Sequence, residues 1–297
     1  MVTLRDILAP MRIPFLILTP ASVFMGIGTA VWTSGSVSIL FVALAFIGAV
    51  SAHISVNSLN EYFDFKSGLD FHTKRTPFSG GSGILTENPE MARYALAVGS
   101  ASFALTSVVG IYFLIVRGWL LLPLGLIGLF VVSSYTIWLT RNPLLCLIAP
   151  GLGFGTFMVM GTDFVLTGSY SLTAFITSLV PFFLVSNLLL LNQFPDVEAD
   201  HNAGRRHLPI LIGVRKSCLI YGIFLLLTYV SIIVGIYLHY LPQFSLIGLC
   251  TIGIAVPTFL GVYRYSENIQ KLMPYMGLNV ILVIATLVLV ASGLLIG

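Results

Sequence analysis

The chain has 297 residues, of which 57% are hydrophobic and only 8% charged, and its formal net charge is +3. Soluble domains carry roughly 25% charged residues, so this composition excludes a soluble globular protein, and its wealth of large apolar residues excludes intrinsic disorder. A small positive charge without a long basic run leaves no footprint for nucleic acid, and the class that remains is a polytopic, all-α membrane protein in a lipid bilayer.

From the N-terminus, Arg5, Asp6 and Arg12 surround a short apolar patch. The patch is too short for the apolar region of a secretory signal, and the segment reads as an amphipathic lead-in lying on the membrane surface. A spanning helix needs about 20 mostly apolar residues. Nine stretches qualify: 13–33, 37–63, 93–115, 119–140, 144–167, 171–195, 216–239, 243–263 and 273–296. Regular period-two alternation is absent, which disfavours a β-barrel. Cys146, Cys218 and Cys250 lie within apolar stretches without metal-ligand spacing and read as small hydrophobes.

With the N-terminus in the cytoplasm of a prokaryotic cell, 13 of the 14 Lys and Arg residues fall on the cytoplasmic side, Arg117 being the exception. Nine spans then put the C-terminus on the opposite side. Ten of the 11 acids share the cytoplasmic side, with Asp163 the exception. Two connections on that side, 64–92 and 196–215, are long and charged, and long connections in a compact protein tend to carry function.

The first of them follows an acidic stripe. Asn57, Asn60, Glu61 and Asp64 are spaced i, i+3, i+4, i+7 and share one helix face, with His53 one turn earlier. Gly68 suits a turn that returns Asp70 toward Asp64. The second stripe comprises Asn192, Asp196 and Asp200 at i, i+4, i+8, with Pro195 predicting a break where it begins. Basic pairs follow each stripe, Lys74-Arg75 and Arg205-Arg206, so the order is a weak internal repeat of a kind common in membrane proteins. A lone acid at a helix end is ordinarily a solvated loop residue, and Glu87, Glu90, Glu198 and Glu267 read that way. Matched stripes on two apolar helices do not, because buried ionisable groups cost several kcal/mol unless paired or metal-bound.

Carboxylates facing one cavity repel each other until cations neutralise them, and an oxygen-only donor set favours Mg²⁺ or Ca²⁺ over Zn²⁺. Mg²⁺ completes its shell with substrate phosphates, so two facing acidic clusters with nearby basic residues point to a bound diphosphate. A lipid-linked diphosphate explains a site inside a membrane. No GxxxxGK[ST] loop is present, which argues against a nucleoside triphosphatase. The glycine-rich run Ser79-Gly-Gly-Ser-Gly83 offers backbone N–H groups that can form an anion nest.

The run Asn60-Glu-x-x-Asp64-x5-Asp70 and the later Asp196-x3-Asp200 resemble the two Asp-rich motifs of the UbiA superfamily of intramembrane prenyltransferases. The likeness extends to Arg12-x-Pro14, Tyr135-Thr136, the glycine-rich stretch from Gly151 to Gly161, and Asp200-x3-Gly204-Arg205-Arg206. Within the superfamily the first motif is most similar to the branch that prenylates 1,4-dihydroxy-2-naphthoate for menaquinone. Glu61 stands where that family more usually has Asp, and His207 where the branch usually has Thr.

The resemblance implies a single domain over residues 1–297, with nine transmembrane helices enclosing a central cavity and acidic motifs at the cytoplasmic ends of helices 2 and 6. It further implies Mg²⁺ held by Asp64, Asp70, Asp196 and Asp200, with a prenyl diphosphate and an aromatic acceptor as substrates. Asn57, Asn60, Glu61 and Asn192 then orient ligands or phosphate oxygens, and Lys74, Arg75, Arg205 and Arg206 neutralise the departing pyrophosphate. Tyr62, Phe63 and Tyr135 are candidates to face an allylic cation, and His53 to meet the acceptor hydroxyl. Two alternatives stay open: prenyl transfer to a non-aromatic lipid alcohol, and a cation-coupled transporter whose intramembrane acids bind the transported ion.

Overall fold

The computed structural model describes residues 3–297, and among these residues every regular element is helical. Helix α1 (Leu4–Leu8) opens with a reciprocal cap, in which Thr3 Oγ1 accepts the Asp6 N–H and the Asp6 carboxylate accepts the Thr3 N–H. Two short 3₁₀ turns follow, Ala9–Met11 and Ile13–Ile17, hinged at Arg12 with a left-handed φ of 51°. They lead into α2 (Leu18–Ser34).

Helix α3 (Ile39–Ser67) has 29 residues. At 1.5 Å per residue it runs about 44 Å, longer than the ~30 Å of a hydrocarbon core. It stops at Gly68, whose φ of 80° closes the turn and sends the chain into the 3₁₀ turn Leu69–Phe71. The remaining elements are α4 (Ile84–Glu87), α5 (Met91–Arg117), α6 (Leu122–Ser134), α7 (Pro143–Gly151), α8 (Met158–Thr167), α9 (Leu172–Asn192), α10 (Val197–Asn202), α11 (Leu208–Ile212), α12 (Val214–Tyr237), α13 (Ile252–Tyr265) and α14 (Ile269–Ile296). A π-helical stretch, Leu152–Phe157, joins α7 to α8, and a 3₁₀ run, Gln243–Thr251, precedes α13.

Among the described residues, eight helical segments are long and apolar enough to cross a membrane, against the nine expected. The difference lies at 119–140, where the apolar helix spans only Trp119–Ser134. Ser133 and Ser134 both turn their hydroxyls onto the Phe130 carbonyl, at 3.1 and 2.6 Å, competing with the main-chain ladder. The chain leaves the helix at Tyr135 and passes through turns to Arg141.

Helix α9 sits at the centre, against α2, α7, α8, α12 and α14, while α3 packs along α5. Asn187, expected to extend the second stripe loosely, is instead a strut. Its Nδ2 donates to the Tyr221 carbonyl at 2.8 Å, and the Tyr221 hydroxyl donates to Asn279 Oδ1 at 2.8 Å. Such bonds hold neighbouring helices in register where the hydrophobic effect cannot. Asp163 and Arg117, the two exceptions to the expected charge sorting, lie together near the end of α8. Asp163 accepts from Ser171 Oγ, and Arg117 donates to the carbonyls of Val165 and Leu166 at 2.7 and 2.6 Å.

The glycines around the π-helical stretch let it lie on α9. A Cβ at Gly155 would meet the Ser178 carbonyl oxygen at 2.6 Å and the Phe182 nitrogen at 2.7 Å. Both are backbone atoms in a buried helix, so nothing can swing aside. Gly155→Ala is expected to cost about 1–3 kcal/mol by overpacking. A lowered midpoint of thermal unfolding in detergent checks this, and Gly153→Ala, which meets nothing within 4 Å, serves as the neutral control.

Candidate active site

A cavity of about 600 Å³ runs through the bundle, with polar and apolar ends. The apolar part is walled by α3, α5, α6 and the α7–α8 region, including Phe113, Leu124, Leu129 and Phe157. The polar end is where α3 and α9 finish. Asn57, Asn60, Asp64 and Asp70 reach it from the α3 side, and Asn192, Asp196 and Asp200 from the α9–α10 side. Helical spacing aligns the first stripe along α3, whereas the second reaches the same chamber across the turns at 193–196 between α9 and α10, and the Gly68 turn returns Asp70 to the neighbourhood of Asp64.

One side chain ties the two sets together. Arg205 donates to Asp64 through Nη2 and to Asp200 Oδ1 through Nη1, the latter at 2.9 Å. The other oxygen of Asp200 is 2.9 Å from His207 Nε2, and His207 is buried. A bidentate guanidinium between two buried carboxylates supplies the positive charge this chamber requires. Asp70 and Asp196 lack such a partner. Burial and the neighbouring Asp64 and Glu61 carboxylates push Asp70 up to about 7, and burial and Asp200 push Asp196 up to about 7 as well.

The donor set suits a hard divalent cation. It is built of carboxylate and carboxamide oxygens, and the buried Oδ1 atoms of Asn192 and Asp196 have no hydrogen-bond partner. Among the described residues, no three acidic, His or Cys side chains converge closely enough to ligate one ion as they stand. The reason is visible in the ion pairs: Arg205 occupies the space between Asp64 and Asp200, so cation binding there requires its guanidinium to move away.

Other expected site residues fall differently. Glu61 is fully buried and already saturated, accepting from Arg12 Nε at 2.7 Å, the Ser82 N–H at 2.7 Å and Ser82 Oγ at 2.8 Å. The glycine-rich loop thus turns a backbone N–H onto the protein's own carboxylate, and Gly81, with φ 71°, lies beside Glu61 and Asp70. Lys74 is exposed and outside the chamber. Arg75 is spent on the same loop, bonding Glu87 at 2.9 Å, the Gly83 carbonyl at 2.9 Å and the Thr86 hydroxyl. Arg206 is exposed, with its backbone N–H on the Thr140 carbonyl. Adjacency in sequence to an acidic stripe brought only Arg205 into the chamber.

Asn60 Nδ2 donates to Thr136 Oγ1 at 3.1 Å, and Asn57 Nδ2 to the Met11 carbonyl at 3.0 Å. Tyr135, on the unwound segment after α6, lines the cavity, whereas Tyr62 and Phe63 meet edge-to-face outside it. His53 is buried on the cavity wall, with Nδ1 2.8 Å from Thr19 Oγ1 and its ring edge-to-face with Phe154. Phe154, carried by the π-helical stretch, and His207, beside Asp200, belong to the site without having been singled out for it. The glycine run 151–161 was the only trace of the former, and the departure from Thr at 207 the only trace of the latter.

Residues 21–281 match the model of the UbiA prenyltransferase family. A curated protein of Bacillus subtilis (strain 168), 1,4-dihydroxy-2-naphthoate octaprenyltransferase, is 28% identical over 181 residues, covering 59% of this chain and 55% of that protein. The chain thus aligns with only about half the length of that relative. Among solved structures, the apo form of a UbiA homolog from Aeropyrum pernix K1 superposes with a TM-score of 0.71 at 15% identity, over 95% of this chain and 98% of the other. A UbiA homolog from Archaeoglobus fulgidus bound to GPP and Mg²⁺ gives 0.60 at 12% identity, over 96% and 99%. At these identities the likeness establishes a common fold.

Proposed function

From its membership of the UbiA prenyltransferase family, to which this chain belongs, we propose that it transfers a prenyl group from a polyprenyl diphosphate to an aromatic quinone precursor of the 1,4-dihydroxy-2-naphthoate kind, releasing pyrophosphate. The carrying observation is that two acidic helix ends, bridged by Arg205, share one mouth of an otherwise apolar cavity. That geometry suits a substrate with a multiply charged head and a long hydrocarbon tail. Mg²⁺, held by Asp64, Asp70, Asp196 and Asp200, supplies charge neutralisation of the diphosphate. The naphthoate acceptor in the name of the Bacillus subtilis relative and the homolog bound to GPP and Mg²⁺ support this reading.

In this scheme Arg205 turns from its two carboxylates toward the diphosphate and meets the charge that grows on it as the C–O bond breaks. Asn60 and Asn192 orient carboxylates or phosphate oxygens. The apolar cavity keeps water from the allylic cation, with Tyr135 facing it from the unwound segment. The electron-rich ring attacks that cation and then loses its substituent at the attacked carbon, a proton or carboxyl group, to recover aromaticity. Tail burial contributes about 0.8 kcal/mol per CH₂. The distribution of Lys and Arg supports a chamber that faces the cytoplasm.

The test is pyrophosphate release by purified protein with geranylgeranyl diphosphate and 1,4-dihydroxy-2-naphthoate, in Mg²⁺ or EDTA. The proposal expects release with a prenylated product in Mg²⁺ and none in EDTA. Ion flux across vesicles without cleavage would instead establish the transporter, and product only with a glycerol-based alcohol would move the acceptor to that class.

A further inference from the structure

A second cavity lies outside the chamber, a crevice of about 640 Å³ between the N-terminal segment and the glycine-rich loop. Leu4, Leu8 and Ala9 form one side, and Thr76, Pro77 and Ser82 the other. Its inner wall is shared with the main cavity: Arg12, Phe15, Phe78, Ser79 and Gly81 line both. One layer of side chains therefore separates a surface crevice from the acidic chamber.

That layer is held by the buried Glu61, which gathers Arg12 from one side and Ser82 from the other. Arg12 spends only Nε on Glu61, so the two terminal nitrogens of its guanidinium carry no protein hydrogen bond among the described residues. Its left-handed φ is adopted by a non-glycine residue, a conformation that costs about 1 kcal/mol or more and gathers at ligand-binding positions. Beside the crevice, Leu4, Ile13 and Ile17 expose at least half of their surface. An amphipathic segment of this kind lies at the lipid–water boundary, where a flat aromatic compound with polar substituents also accumulates.

We infer that the crevice is the holding site through which the aromatic acceptor approaches the chamber, with Arg12 and Arg5 receiving its anionic substituent and Phe15 and Phe78 its ring. This rests on the prenyl-transfer reading. The occupant follows from the lining. Two aromatic rings and two guanidinium groups match an aromatic carboxylate. A prenyl tail matches the apolar wall of the main cavity instead. The acceptor thus comes from the opposite side of the reacting carbon to the tail, and the Glu61 latch is the partition it passes.

Ala9→Trp fills the crevice without touching the acidic residues. With geranylgeranyl diphosphate and 1,4-dihydroxy-2-naphthoate, the variant is expected to show at least a tenfold higher KM for the naphthoate and an unchanged KM for the diphosphate. An unchanged naphthoate KM in a folded variant overturns the inference. The second measurement does not depend on that variant's folding. In a Cys250→Ser background, Ala9→Cys is labelled with a maleimide in the presence of either substrate. Protection by the naphthoate but not by the diphosphate supports the holding site, and protection by neither, or by the diphosphate alone, overturns it. Absence of turnover in the unmodified protein defeats the prenyl-transfer reading itself, a result separate from either of these.

Discussion

Arg205→Ala is expected to destabilise the cation-free protein by about 3–5 kcal/mol, because it leaves two buried carboxylates facing each other without their shared counter-charge. Arg205 is the ion-pair partner of both Asp64 and Asp200; Asp200 keeps only the His207 ring without it, and neither carboxylate can turn to bulk water from its buried position. The same loss should be partly recovered by Mg²⁺ together with a prenyl diphosphate, since a divalent ion can take the place the guanidinium has vacated. Thermal unfolding in EDTA and in Mg²⁺ with a non-cleavable prenyl thiodiphosphate measures both effects. The expected result is a larger ligand-induced rise in melting temperature for the variant than for the parent protein. Arg205→Lys should restore charge but not the two-pronged geometry, so it should recover stability better than turnover. An equal rise in both proteins would show that Arg205 and the cation do not compete for one space.

Asp196→Asn should behave in the opposite way. Asp196 has an unpartnered buried oxygen and no ion pair, and burial beside Asp200 already opposes its ionisation. Removing its charge therefore relieves repulsion and should leave the cation-free protein as stable as the parent or more so. Turnover should nevertheless fall by about 10²–10³, the size expected when one group that neutralises developing charge is lost. Steady-state pyrophosphate release alongside a melting curve separates the two quantities. Activity within a few-fold of the parent would remove Asp196 from the cation site.

These two residues also show what was legible before the structure. The stripe Asn57–Asp64 is readable because helical periodicity is local, and Gly68 because a left-handed turn has a strong residue preference; Asn192, Asp196 and Asp200 do not share one helix face, because the chain turns at 193–196, around the Pro195 that predicts a break. Eight of the spans followed from length and hydropathy alone. The rest required distances between residues far apart in the chain. Nothing in the spacing of Arg205 or Arg206 says which one turns inward, and Glu61 looks like a ligand until Arg12, 49 positions away, and Ser82, 21 positions away, are seen on its oxygens. The glycine-rich loop was read as an anion nest for phosphate, and it does meet an anion, but that anion is Glu61. At the fourth expected span the apolar run continues past Ser134, whereas the helix does not. Two serine hydroxyls and the following Tyr135-Thr136 take the chain into the cavity wall.

In the proposed scheme both acidic clusters act on one diphosphate through shared cations. This is tested most directly by locating Mn²⁺, through its anomalous scattering, in crystals grown with geranylgeranyl thiodiphosphate. Mn²⁺ is expected between the diphosphate and carboxylates of both sets, Asp64 or Asp70 on one side and Asp196 or Asp200 on the other, with Arg205 turned onto the phosphate oxygens. Mn²⁺ bound by one set alone, or a diphosphate seated away from both while Arg205 still bridges Asp64 and Asp200, would contradict it.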